Sequence, residues 1–309
     1  MNQEIKRGLN IYLYYWTVVA LLVFLVINVF SEYLKIPNIN LDTIDLMISV
    51  VSFLFGFLIS ISFSMILTRV SALKESLAIE TGRLVSLFLL SKHLGKEFND
   101  KIKEKIDDYT ISTLSNYGTY ESGREMVYGI SDDLKYMELK DKKQTNIANS
   151  FLYILGEFEP TRERLEYLTS GKLLWATKAV NYTLGGLLIF LLFLNRGTPF
   201  TNVMFILLSS IVAFILLIIE DYENLRIGDY IANISNSEQL FDLIEKERYY
   251  PEKILSRVKL EEGRKYRVGV YDKAEKKEKI FVLTYNSHFS SRLKYLINKF
   301  NIARRFKGS

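Results

Sequence analysis

Four long apolar stretches interrupt an otherwise charged chain, at residues 11–30, 46–67, 173–194 and 203–219. A helix needs about 20 mostly apolar residues to cross the hydrocarbon core of a bilayer, so length alone makes each stretch a candidate span. The first stretch is too long for the apolar part of a secretory signal peptide, and no small-residue cleavage site follows it. The pattern therefore predicts four transmembrane helices.

The positive charges that flank these stretches predict their orientation. The connections 31–45 and 195–202 each hold a single Lys or Arg, whereas the N-terminus and both ends of segment 68–172 hold several. Because Lys and Arg accumulate in cytoplasmic loops, we expect a multi-pass protein of the cell (plasma) membrane with both termini cytoplasmic. The chain has no cysteine, which excludes disulfides and thiolate metal sites and is typical of a protein exposed to a reducing compartment.

Between the second and third spans the apolar positions follow a helical period throughout. The second span continues as an amphipathic helix that should end near Gly95, and three more helices are predicted around 98–113, 126–137 and 147–158. Pro160 suits the first turn of a further helix, so we expect a new helix to begin there and lead toward the third span.

The composition changes after the fourth span. From Glu247 to Ser309 there are 17 Lys or Arg against 7 Asp or Glu. Residues 265–272 and 279–286 alternate as strands around a charged turn, and 288–306 has helical spacing. The basic tail either lies against anionic lipid headgroups or forms the charged face of a small soluble domain. Nucleic acid is not an expected partner, since no recognition motif accompanies the basic residues.

The predicted fold class is an all-α integral membrane protein with four transmembrane helices, a helical cytoplasmic segment and a small C-terminal α+β appendage. A hydrophobic content of 49% beside 24% charged residues fits that division. The predicted boundaries are, in chain order, 1–67 for the first two spans, 68–172 for the cytoplasmic helices, 173–219 for the last two spans, 220–246 for a helical exit and 247–309 for the appendage.

Small residues recur along the second span and share one face of the helix, less than about a third of its circumference wide. This hydroxyl row consists of Ser49, Ser52, Gly56, Ser60 and Ser64, and it is flanked by Phe53 and Phe63. Hydroxyls gain nothing from contact with lipid, so this face should meet protein or water. One interpretation is close helix packing. The other is that several copies surround an axis, with hydroxyls touching ions and phenylalanines forming apolar constrictions.

Enzyme chemistry finds little support in the sequence, and no cofactor is expected. His93 and His288 are the only histidines, and neither has a second histidine at ligand spacing. Ser71 and Lys74 match the Ser-x-x-Lys form, but no companion motif follows.

Inside the third span Asn181 is expected to bond a neighbouring helix.

Three segments resemble the bestrophin-like domain family, a set of prokaryotic membrane proteins distantly related to the bestrophin chloride channels. They are GFLISISFSMILTRVSALKESLAIETGRLVSLF with Gly56, Arg69 and Glu80, PTRERLEYLTSGKLLW with Arg162 and Arg164, and LLIIEDYENLRIGDYI at the end of the fourth span. The resemblance covers roughly residues 10 to 245 and leaves out the strand-bearing tail.

The resemblance implies a function for several of these residues. Bestrophins are pentamers whose second helices line a central pore, which implies pore-lining positions here at Ser52, Gly56, Ser60 and Phe63. It likewise implies structural or gating roles in the cytoplasmic helices for Arg69, Glu80, Arg162 and Arg164. An acidic clasp at a similar place binds calcium in animal bestrophins, so Glu220, Asp221 and Glu223 form a candidate calcium site. The alternatives are a solvated helix end or ion pairs with the arginines of the central helices.

Two functional hypotheses remain at this stage. The first is a homo-oligomeric ion channel of bestrophin type, pentameric and anion-conducting by resemblance, with inorganic ions and further copies of itself as partners. The second is a non-conducting membrane scaffold or sensor, in which the hydroxyl row only packs helices and the basic tail binds a partner or anionic lipid.

Overall fold

The computed structural model describes residues 11–30, 41–115, 121–139, 141–171, 173–223, 229–272 and 277–293. The fold is predominantly helical. Its helices are α1 (Ile11–Phe30), α2 (Leu41–Leu94), α3 (Lys96–Ser115), α4 (Glu121–Lys135), α5 (Lys142–Ser170), α6 (Trp175–Leu194), α7 (Pro199–Glu223) and α8 (Asp229–Leu243). Its strands are β1 (Tyr249–Pro251), β2 (Lys265–Asp272) and β3 (Lys277–Thr284), with a 3₁₀ helix, Glu252–Arg257, after β1.

The chain divides into two compact units. The membrane unit is the described part of Gly8–Ala72 and Gly171–Asp229, and the globular unit is the described part of Leu73–Ser170 and Tyr230–Ser309. Helix α2 contributes its first part to the membrane unit and its second part to the globular unit. The predicted end of this helix near Gly95 is confirmed, since α2 ends at Leu94 and Gly95 has a φ of 129°, which favours glycine.

Three described stretches are long and apolar enough to cross a membrane, Asp42–Leu94, Lys142–Leu194 and Pro199–Glu223. A fourth, Tyr15–Phe30 within α1, is apolar but shorter. The three long stretches contain the predicted spans 46–67, 173–194 and 203–219, and the shorter one lies within the predicted span 11–30, which supports a helical membrane protein. The count of four spans and their orientation stay predictions.

The membrane unit packs apolar side chains of α2, α6 and α7 against one another. Val51 and Phe55 of α2 join Leu188 and Phe205 in one buried cluster. Gly185 allows this close approach, because a Cβ there would lie 3.0 Å from a methyl of Leu216 and 3.2 Å from the Phe55 ring. Helices in lipid associate through such packing rather than through the hydrophobic effect, so small residues at the contact stabilise the unit.

The globular unit has a core of its own. Its main cluster joins the second part of α2 to α3, α4, α5, α8 and β1, with fully buried Leu87, Ile102, Ile130, Phe151 and Phe241. The apolar periodicity of the sequence predicted these helical faces, and α3 and α4 confirm it.

The prediction that a new helix begins at Pro160 is wrong. Pro160 lies inside α5, which continues without a break from Lys142 to Ser170. A proline in a helix removes the hydrogen bond to the carbonyl four residues earlier and crowds that residue. Here that residue is Gly156, and both positions are exposed, so solvent can bond the freed carbonyl.

A three-stranded sheet completes the globular unit, in the order β1-β2-β3, with β1 parallel and β3 antiparallel to β2. The two predicted strands are confirmed as β2 and β3, whereas β1 has only three residues and no alternating pattern. One face of the sheet buries Tyr250, Tyr266 and Val268 with Phe289. The predicted tail helix beyond residue 293 lies outside the described residues.

Ion pairs hold the sheet against the helices. Arg267 of β2 donates two hydrogen bonds of 2.6 Å to the Asp107 carboxylate of α3. Arg248 pairs with Glu238 at 3.2 Å and with Asp242 at 2.5 Å. Burial acts to raise the pKa of Asp242, but the hydrogen bonds and charges of Arg248 and Arg264 hold that pKa below its usual value. Arg248 and Arg267, which belong to the basic tail, therefore form ion pairs within the globular unit.

Candidate functional site

The hydroxyl row lies on a face of α2 that the described residues of the chain leave uncovered. Ser49, Ser52, Gly56, Ser60 and Ser64 are all exposed. Of the two flanking rings, Phe53 is 72% exposed, whereas Phe63 is half-buried and packs edge-on against Tyr222 at 5.7 Å. Within a single chain, the row therefore faces outward while a different face of α2 packs against α6 and α7.

A serine on the packed face of α2 behaves differently. Ser62 is fully buried, donates to the Leu58 carbonyl at 2.9 Å and accepts a 2.7 Å hydrogen bond from the Asn181 amide. This contact confirms the expectation that Asn181 bonds a neighbouring helix. Of the row, Ser49 bonds the carbonyl of Asp45 four residues earlier at 2.9 Å, a local bond that serines in membrane helices commonly make. Partners of the row from another helix must come from outside the described chain.

Two aspartates extend the same face toward the start of α2. Asp42 and Asp45 are exposed, and stepping back four and then three residues from Ser49 reaches both. The side-chain amide of Asn195 donates to Asp45 at 2.9 Å. Neither residue was among the predicted pore-lining positions, because both precede the apolar stretch, although their spacing from Ser49 places them on the same face.

The acidic group at the end of α7 binds a lysine. Lys178 lies 3.1 Å from Glu220 and 2.5 Å from the buried Glu223, and Tyr182 donates to Glu220 at 3.1 Å. Glu223 also accepts the Leu173 amide at 3.0 Å. Ion pairs with the arginines of the central helices were one of the expected alternatives, and Lys178 is a partner that the sequence analysis did not name.

Arg69 contacts this group through the backbone, donating to the carbonyl of Glu223 at 3.1 Å. Among the described residues, no group of three or more histidines and carboxylates is arranged to hold a metal ion. Glu220, Asp221 and Glu223, all of them described, do not form such a group. Asp221 is buried.

A second polar group lies in the globular unit and joins three helices. Glu80 of α2 is 6% exposed, Arg162 of α5 is 5% exposed and Tyr109 of α3 is 3% exposed. The Tyr109 hydroxyl donates to Glu80, and Arg162 donates both to Tyr109 and, at 3.3 Å, to Glu80. We call these three residues the buried triad. The fourth candidate of the central helices, Arg164, is exposed on α5.

Helix α4 closes over the triad through a glycine. A Cβ on Gly123 would lie 2.4 Å from Nε of Arg162, so a larger residue would displace the guanidinium. Burial raises the pKa of Glu80, an effect that the charge of Arg162 and the hydrogen bonds from Tyr109 and Arg162 only partly offset. Burial also raises the pKa of Tyr109, which keeps its hydroxyl a donor. The family resemblance singled out Glu80 and Arg162, but the sequence did not indicate that Tyr109 and Gly123 contact them.

Comparisons with known proteins agree with this architecture. The model of the bestrophin-like domain matches residues 15–230. A crystal structure of a membrane protein with a proline-to-alanine substitution covers 76% of this chain and 98% of its own, at 11% identity and a TM-score of 0.51, which indicates a shared fold. A second, with a glycine-to-alanine substitution, has the same coverage at 12% identity and a TM-score of 0.42. No curated protein matches the chain significantly.

The family match spans most of the chain, from within α1 to the start of α8, and leaves outside the first residues of α1, most of α8 and the sheet-bearing tail. It includes the hydroxyl row, the lysine-bound carboxylates and the buried triad. The chain is a membrane protein that belongs to the bestrophin-like domain family.

Proposed function

We propose that the protein is a homo-oligomeric ion channel, a pentamer whose pore is lined by α2, and that it conducts anions. The observation that carries the proposal is the exposed hydroxyl row on a helix that packs another face against its own chain. A hydroxyl can turn either its proton or its lone pairs toward an ion, so a ring of serines suits a passage for ions. Phe53 would supply the apolar constriction.

The proposed channel lies in the cell membrane with both termini in the cytoplasm, as the Lys and Arg flanks indicate. In that orientation Asp42 and Asp45 face the outer mouth of the pore. The start of a helix carries about half a positive charge, so two carboxylates per subunit outweigh it and oppose the entrance of anions. They therefore reduce anion conduction without being needed for it.

Flux into liposomes tests the proposal and the role of these aspartates together. We expect reconstituted wild-type protein to conduct chloride, and the double variant Asp42→Asn, Asp45→Asn to raise the chloride-to-sodium flux ratio roughly threefold to tenfold at low salt, because screening weakens the effect at high salt. The pair Asp100→Asn, Asp132→Asn changes net charge equally on the globular unit and should leave the ratio unchanged.

The mass of the protein in detergent provides a second check. A single copy of α2 cannot enclose a pore, so a monomer would contradict the channel. Well-folded oligomers that pass neither chloride nor sodium would favour the scaffold hypothesis instead. In that case the row packs subunits together, and binding of the basic tail to vesicles containing phosphatidylserine becomes the property to measure.

A further inference from the structure

The last turn of α7 carries two carboxylates at a place that favours positive charge. Glu220 and Glu223 lie at the C-terminal end of this helix, where the aligned peptide dipoles place about half a negative charge. Glu223 is also buried, so little water reaches its carboxylate to stabilise it. The end of α7 therefore favours a cation from elsewhere in the membrane unit.

The ammonium group of Lys178, in the first turn of α6, supplies that charge. Its Nζ lies 3.1 Å from Oε2 of Glu220 and 2.5 Å from Oε2 of Glu223, so it bridges the two carboxylates. Oε1 of Glu223 accepts the Leu173 amide, and Tyr182 donates to the same oxygen of Glu220 that Lys178 contacts. We call Lys178, Glu220 and Glu223 the lysine bridge.

The lysine bridge lies where three helices of the membrane unit meet. Lys178 joins α6 to α7, and Arg69 of α2 donates to the backbone carbonyl of Glu223 at 3.1 Å. An apolar cluster beside the bridge packs Ile66 of α2 with Ile219 of α7. Proteins also join carboxylates with a hard divalent cation, which takes oxygen ligands. Here the chain supplies the cation itself.

We propose that Lys178 occupies the place of a divalent cation at this junction, so that an internal ammonium group stabilises the membrane unit and no calcium is required. An ammonium group is a compact point charge with three donors, which suits two carboxylates on one side. A metal ion could contact both carboxylates only after Lys178 had left them, and the displaced lysine would lose its counter-charges. The proposal does not rest on the channel function, and liposomes that pass no ions would leave it unchanged.

Thermal unfolding of the full-length protein in detergent tests the proposal. Wild-type protein should unfold at the same temperature in EGTA and in millimolar calcium at equal ionic strength. Lys178→Glu replaces the ammonium group by a third carboxylate. It should unfold about 5–10 °C lower in EGTA, because like charges replace the ion pairs, and should recover at least about half of that loss in calcium.

Two further variants complete the experiment. Lys178→Gln removes the charge without adding a carboxylate, and it decides the question if Lys178→Glu does not fold. It should lose less stability than Lys178→Glu and regain part of the loss in calcium. Lys74→Glu makes the same charge change at an exposed position of α2 and should unfold near the wild-type temperature in both solutions.

Three results would overturn the proposal. The first is a wild-type protein that calcium stabilises, which would show that a metal binds in spite of the lysine. The second is a pair of Lys178 variants no less stable than Lys74→Glu in EGTA. The third is a loss of stability in the Lys178 variants that calcium does not restore, which would show that the two carboxylates do not form a cation site.

Discussion

Replacing Ser60 by leucine is expected to reduce chloride flux into liposomes at least about tenfold. In the proposed pentamer the substitution puts five larger, apolar side chains at one level of the pore and removes five hydroxyls, which both narrows and dewets the passage. Ser60 is exposed within its own chain, so the fold itself should tolerate the change.

Thr183→Leu is the matched control for this experiment. Thr183 is an exposed hydroxyl residue of α6, and its loss changes composition similarly on a helix that the proposal keeps away from the pore. It should conduct like wild type. Ser60→Leu oligomers of wild-type mass that conduct normally would contradict a pore lined by this face.

The second large effect is expected from Arg162→Met, which should destabilise the globular unit by about 3–5 kcal/mol, since it leaves Glu80 buried without its cation. Removing Arg162 raises the pKa of Glu80 further, because the arginine is the main group that lowers it. A carboxyl with a raised pKa in the folded state costs stability when ionised. The loss of stability in Arg162→Met should therefore be small in acid and grow as the pH rises through the raised pKa of Glu80.

Thermal unfolding of the purified protein at pH 5 and pH 8 measures this difference. Glu80→Gln combined with Arg162→Met removes both charges and should recover most of the loss at pH 8, as apolar replacement of a whole buried pair often does. Arg164→Met is the control, because its exposed side chain should contribute little. If Arg162→Met and Arg164→Met lowered the unfolding temperature equally, the buried triad would add no stability.

The local features of this fold were predictable from sequence. Apolar length predicted the helices α1, α6 and α7, and periodicity predicted α3, α4 and the β2–β3 hairpin, because each depends on residues close together in the chain. The prediction at Pro160 was wrong because α5 continues through an exposed position, where solvent can bond the carbonyl that the proline leaves free. The three residues of β1 are too few to show a pattern and depend on pairing with β2.

The partners at the candidate sites were not predictable in the same way. Lys178 binds Glu220 across 42 residues of chain, and Arg162 binds Glu80 across 82. Such pairs are chosen by tertiary packing among several charged residues that look equivalent in the sequence. Tyr109 follows the helical period of an ordinary core residue, so its hydroxyl gave no signal. The face of the hydroxyl row was derivable, whereas under the proposed function the residues that cover it come from other copies of the chain.

Access of water to that face is the most direct test of the account. Because the chain has no cysteine, single cysteines can be placed at Ser52 and Ser60 on the row, and at Leu54 and Ile61, which are exposed at similar depths on another side of α2. Thiols react as thiolates, which form in water and not in hydrocarbon.

The measurement is the rate at which a charged, membrane-impermeant thiosulfonate modifies each variant in liposomes. We predict fast modification at Ser52→Cys and Ser60→Cys and protection at Leu54→Cys and Ile61→Cys. Protection of all four positions, or modification of the Leu54 and Ile61 variants instead, would contradict a water-filled pore bounded by the hydroxyl row.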